Sequence, residues 1–109
     1  MTYKEIATMV GSIGLPYAYY QFPEGTAQAP PFVVFFYSRT DDLFADDENY
    51  QRIVILNIEL YTAEKDFEKE STVEAVLKNN HFTYYKEENY IDSEKMWQIA
   101  YEMEGLING

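Results

Sequence analysis

The chain has 109 residues, which suits one domain, and its 47% hydrophobic content is enough for a real core. With no cysteine it can hold neither a disulfide nor a thiolate zinc site, and the absence of disulfides favours a reducing compartment. Acids outnumber bases 19 to 8, for a net charge of −11, which opposes binding to nucleic-acid backbones and to anionic membranes.

Residues 2–13 read as a helix. Thr2 and Glu5 match a capping box, and Tyr3, Ile6, Ala7, Val10 and Ile13 recur on one face. Gly11 and Gly14 weaken and then end it, and Pro16 forbids continuation. The start of the chain is not a basic region followed by an apolar run, so no signal peptide is expected. Residues 16–22 read as a short aromatic strand and 23–31 as a loop. Phe32 to Ser38, FVVFFYS, is a strand with apolar residues on both faces, which a helix would cover on one side and a second layer or another subunit on the other.

Arg39 to Asn49 reads as an exposed acidic excursion, since five of the eight residues from Asp41 to Glu48 are acidic. Tyr50 to Thr62 is the longest strand. Val54, Leu56, Ile58 and Leu60 fall on one face; Ile53, Ile55, Asn57, Glu59 and Tyr61 fall on the other. The strands on either side of the acidic segment are expected to pair antiparallel. Glu64 to Asn79 reads as a second helix with an apolar stripe of Phe67, Val73, Val76 and Leu77. Phe82 to Tyr90 is an alternating strand at or near an edge, Asp92-Ser93 a turn, and Met96 to Met103 a closing strand. The predicted fold class is α+β. Two helices pack on a mostly antiparallel sheet of about five strands, in the order α-β-β-β-α-β-β.

Catalytic chemistry finds no support in the residues. The only histidine, His81, sits at a helix-to-strand turn and reads as a surface or capping residue. No serine lies in a nucleophile elbow, and no glycine pattern cradles a phosphate. The pairs Asp41-Asp42 and Asp46-Asp47-Glu48 lack the alternation and the glycine of a calcium loop. The chain is therefore expected to be no enzyme and to use no metal and no cofactor. Arg39 and Arg52 bracket the acidic segment and read as screening charges at the hairpin base. Leu43 and Phe44 are apolar residues inside that segment. They either fold back on the sheet or act as anchors for a partner inside a polar rim. The candidate interface residues are Asp41, Asp42, Leu43, Phe44, Asp46, Asp47 and Glu48.

Several stretches, taken in order, resemble one family. They are FPEG at Phe22 to Gly25, PPFVVFFY ending at Tyr37, LFADDENY from Leu43, IELYTAEKD from Ile58, and YIDSEKMWQIAYEME from Tyr90 to Glu104. Together they are similar to phage tail-terminator, or tail-completion, proteins of siphophages and prophages of Gram-positive bacteria, also labelled minor capsid or head–tail joining proteins. The resemblance implies a single lambda tail-terminator-like domain over residues 1–109 that assembles with itself as a hexameric ring. Such a ring caps the tail-tube protein and meets the head connector or closure protein, at the head–tail junction of a virion made in the host cytoplasm. It implies no catalytic residues. Two other readings remain at this point: a head-side closure protein of the same module, and an acidic DNA mimic that inhibits a host nuclease.

Overall fold

The computed structural model describes residues 1–23, 25, 28–42 and 52–107. Helix α1 spans Tyr3–Gly11 and helix α2 spans Phe67–Asn79. The strands are β1 (Tyr17–Tyr19), β2 (Phe32–Asp42), β3 (Arg52–Thr62), β4 (Tyr84–Ile91) and β5 (Met96–Ile107). They form one sheet in the order β1-β2-β3-β5-β4. The expected α-β-β-β-α-β-β order and α+β class are what the structure has. All neighbours are antiparallel except β1, which runs parallel to β2. A parallel pair needs a long crossover connection, and residues 20–31 supply one.

α1 begins with the predicted capping box. Thr2 Oγ1 accepts from the Glu5 amide at 3.1 Å, and the Glu5 carboxylate accepts from the Thr2 amide at 2.9 Å. Ile6, Met9 and Val10 are buried, as is Ile13 just beyond the helix. Gly11 has a packing role as well as a terminating one: a Cβ there would stand 2.9 Å from the Tyr17 hydroxyl.

Both helices pack on the same face of the sheet. Val33 and Phe35 of β2, Val54, Leu56, Ile58 and Leu60 of β3, and Ile99, Tyr101, Met103 and Ile107 of β5 meet them in one core cluster. The predicted inward face of β3 is fully buried at all four positions. Each such aliphatic side chain contributes roughly 1.5–3 kcal/mol of burial free energy.

Four of the boundaries that differ from the sequence reading do so for a clear local reason. The first strand stops at Tyr19 because Tyr20 takes a left-handed backbone, φ 68°. β2 runs on through Asp42, so Arg39 to Asp42 belong to a strand and not to an excursion. A register shift between Tyr37 and Arg39, a bulge at Ser38, lets the pairing with β3 continue to Asp42 opposite Arg52. α2 starts at Phe67, not Glu64, because the Asp66 carboxylate accepts from the Lys69 amide at 3.0 Å and caps it there. Phe67 is consequently no part of the apolar stripe: it is 70% exposed, with the Lys65 ammonium 4.7 Å from its ring centroid. β5 continues four residues past Met103, its Gly105 packed 3.4 Å from Val54 when a Cβ is placed on it.

Glu70 takes the buried position that Phe67 does not, and it is 2% exposed. Its carboxylate lies 2.5 Å from Lys65 Nζ and 2.9 Å from Lys86 Nζ. Lys65 also bonds Glu88, and Lys86 also reaches Glu74 at 2.8 Å. The buried Tyr101 hydroxyl donates to Glu74 at 2.7 Å. This network fastens α2 to β4 and β5. Burial pushes the Glu70 carboxyl up, but the two ammonium groups outweigh it and hold the group below its ordinary value of 4.5. Burial alone would lower Lys86; its bonds to Glu74 and Glu70 carry it up instead, to about 12.

Two predictions follow from the core and this network. Ile58→Ala should destabilise the fold by about 2–5 kcal/mol in urea unfolding, while Phe67→Ala should cost under about 1 kcal/mol. Because the folded-state pKa of Glu70 is depressed, its stabilisation is fully present above pH 4.5 and lost as pH falls below that. Glu70→Gln should therefore lower the melting temperature at pH 7 and flatten its decline on the acid side. An unchanged acid-side slope would contradict the assignment.

Candidate interaction surface

The face of the sheet opposite the helices has no layer on it among the described residues. Side chains alternate along a strand, and the registers lay the open face out as a grid. One row runs Phe32, Tyr61, Gln98, Asn89; the next runs Val34, Glu59, Ala100, Glu87. Then come Phe36, Asn57, Glu102 and Tyr85, and, after the bulge, Arg39, Ile55 and Glu104. The apolar column Phe32, Val34 and Phe36 therefore lies on β2 and the acids Glu102, Glu104 and Glu87 on β5 and β4, with β3 mixed between them.

Aromatic pairing organises the β2 end. Phe32 stacks on Tyr61 with ring centroids 4.9 Å apart, Phe22 meets Phe32 edge-on at 5.4 Å, and Tyr20 meets Phe36 at 5.7 Å. The Tyr61 hydroxyl donates to Glu59 at 2.8 Å and accepts from Gln98 at 2.9 Å. Burial, followed by the Glu59 carboxylate, pushes its pKa up to about 12. Val34 and Ile55 on the same face are nearly closed off, at 6% and 5% exposure. Phe32, Phe36 and Tyr61 remain half-buried. The expectation that β2 is apolar on both faces holds, and the described residues seal only one of them.

Charge divides the same way. On the helix side Lys65, Lys69 and Lys86 are each engaged by carboxylates. On the open side Glu87, Glu102 and Glu104 form no ion pair among the described residues, and no lysine occupies an open-face register position there. Glu102 and Glu104 edge a cleft of about 720 Å³ that also takes in Arg39, Ile55, Tyr85 and Leu106. It opens where β4 stops, since β4 begins opposite Met103 and leaves the outer side of β5 from Glu104 onward without a strand.

The sheet edges are rich in tyrosine. Tyr17, Tyr19 and Tyr20 at the β1 end are 46%, 52% and 63% exposed, and Tyr85 on β4 is 83% exposed. β1 covers only Val33 to Phe35 of β2. Past it, the Tyr19 hydroxyl lies 3.5 Å from the Tyr37 amide.

No family model and no curated protein matches the sequence. The fold has a likeness among solved structures. It is similar to a chain in a structure described as the virion of native gene transfer agent (GTA) particle, with a TM-score of 0.58. The two chains are 14% identical over 94% of this one and 86% of that one. At that identity the likeness is one of fold.

Of the residues singled out from sequence, Asp41 and Asp42 end β2, opposite Ile53 and Arg52. Leu43, Phe44, Asp46, Asp47 and Glu48 lie outside the described residues. The sequence reading passed over Phe36, Ile55, Tyr61, Glu102 and Glu104 as a group. Their signal was the second, less apolar face of the β3 and β5 alternations. Among the described residues no three His, Asp or Glu side chains gather as a metal ion would require, and no helix is long and apolar enough to cross a membrane.

The two faces of β2 should respond differently to truncation. Phe35→Ala should cost about 3–5 kcal/mol in urea unfolding, and its neighbour Phe36→Ala under about 1.5 kcal/mol. Equal losses would mean that the open face is part of the core.

Proposed function

We propose that the chain is a structural, non-catalytic subunit of a phage-type particle. Within that class it is a tail-terminator protein, which caps the tail tube as a ring and meets the head connector. The observation that carries this reading is a sheet whose two described helices lie on the same face. Its other face is half-exposed aromatic surface, and its two edges bear tyrosine. Tyrosine has an apolar body and a polar tip, and it is enriched where protein surfaces meet. The two edges are unlike each other, so self-association through them is head-to-tail, the type of contact that closes into rings.

Two further supports converge on the same reading. The ordered stretches from Phe22 to Glu104 resemble tail-terminator proteins. The fold is similar to that of a chain from a gene transfer agent virion. In the ring, residues Asp41 to Glu48 would contact the tube or connector, with Leu43 and Phe44 as anchors. Carboxylates of that segment exposed in the lumen would repel passing DNA.

The test is to add the purified chain to tails assembled without a terminator and to heads with open connectors, and to image both by electron microscopy. The expected result is one ring at the end of each tail tube. Phe44→Asp should reduce the capped fraction about tenfold. Binding to connectors alone would assign the chain to the head side, and binding to neither would overturn the reading.

A further inference from the structure

We propose that the open sheet face is the docking site for a basic amphipathic helix of another protein. The inference stands on the geometry of that face and does not depend on the tail-terminator reading.

The missing layer sets the shape of the occupant. A sheet with one apolar face already under helices is completed most simply by a helix on the other. The apolar column, Phe32, Val34 and Phe36, lies on β2, and the unpaired carboxylates Glu102 and Glu104 lie on β5. β3 stands between them, so the two columns are two strand spacings, roughly 10 Å, apart. That separation is about the diameter of a helix with its side chains. A helix lying along β3 would set its apolar stripe over Phe36 and Ile55 and one flank over the β5 carboxylates.

Charge selects the chemistry of that flank. Among the described residues Glu87, Glu102 and Glu104 form no ion pair, and the cation on this face, Arg39, stands on β2, two strands from β5; the helix-side carboxylates Glu70, Glu74 and Glu88 are all engaged by Lys65 and Lys86. Lysine or arginine on the incoming flank would supply the ion pairs that Glu102 and Glu104 lack among the described residues. The cleft beside Glu102 and Glu104 gives a long basic side chain room to descend. The same charges argue against a second copy as the occupant. A second copy with like strands opposed would set carboxylates against carboxylates, and one with β2 over β5 would set Glu102 against Phe36.

The probe is a synthetic peptide of about 16 residues, long enough to form a helix, with leucines along one face and lysines on both flanks. Binding is followed by amide chemical shifts and by calorimetry. The expected perturbations centre on β2, β3 and β5 at open-face positions. Glu102→Lys with Glu104→Lys should weaken binding about tenfold. Glu64→Lys with Glu94→Lys, an equal charge change at exposed sites away from this face, should change it less than about twofold. A peptide with glutamates in place of the lysines should not bind. Equal weakening by the two double variants would reduce the effect to net charge and overturn the proposal. So would perturbations confined to the helix side, an absence of binding, or self-association of the free chain that Phe36→Asp abolishes.

Discussion

Both helices of this protein lie on one face of a five-stranded sheet, and most of its other properties follow from that. The stripe of α1 and the inner residues of α2 converge on the inward positions of β2, β3 and β5, where alternation has placed aliphatic side chains in every row. Once that face is closed, nothing within the described residues remains to close the other. Yet β2 is apolar on both faces. The composition handles this with aromatics: Phe32 stacks on Tyr61 and meets Phe22 edge-on, Phe36 meets Tyr20 edge-on, and Tyr61 turns its hydroxyl to Glu59 and Gln98. Such a face persists in water without being satisfied by it.

Charge placement reinforces the asymmetry. Lysines are spent on the helix side, where Lys65 and Lys86 neutralise a carboxylate, Glu70, that is buried under α2. A buried acid without those partners would be strongly unfavourable, so the lysines are committed by the fold. On the open side Glu87, Glu102 and Glu104 keep no ion pair among the described residues. A chain of net charge −11 can carry them, because in water exposed like charges at strand spacing repel only weakly. Among the described residues the result is a sealed side whose lysines are paired and an acidic, apolar side without a covering layer.

Much of the fold was legible in the sequence because it is local. The Thr2–Glu5 capping box, the 3–4 spacing in α1 and the alternation of Val54, Leu56, Ile58 and Leu60 each declare their element within a few residues. The parts that were missed depend on partners distant in the chain. Nothing near Ser38 announces a bulge, but pairing with β3 requires one if Arg39 to Asp42 are to stay in the ladder. The parallel setting of β1 depends on where residues 20–31 lead the chain. Phe67 has the right spacing for a stripe and the wrong place for one, because Asp66 starts the helix at that residue. The interaction surface was the least legible part. It is assembled from β2, β3, β4 and β5, no one of which carries a motif, whereas the conspicuous acids of Asp41 to Glu48 drew attention to a single segment.

The central claim is that the helix-free face is the surface this protein uses. Hydroxyl-radical footprinting of the free chain, and of the same chain built into a particle, tests it most directly. The account predicts that Phe32, Phe36, Tyr61 and Leu106 react in the free chain and become protected on assembly, while Phe67 on α2 stays reactive. Protection of Phe67 with no change at the other four would contradict it.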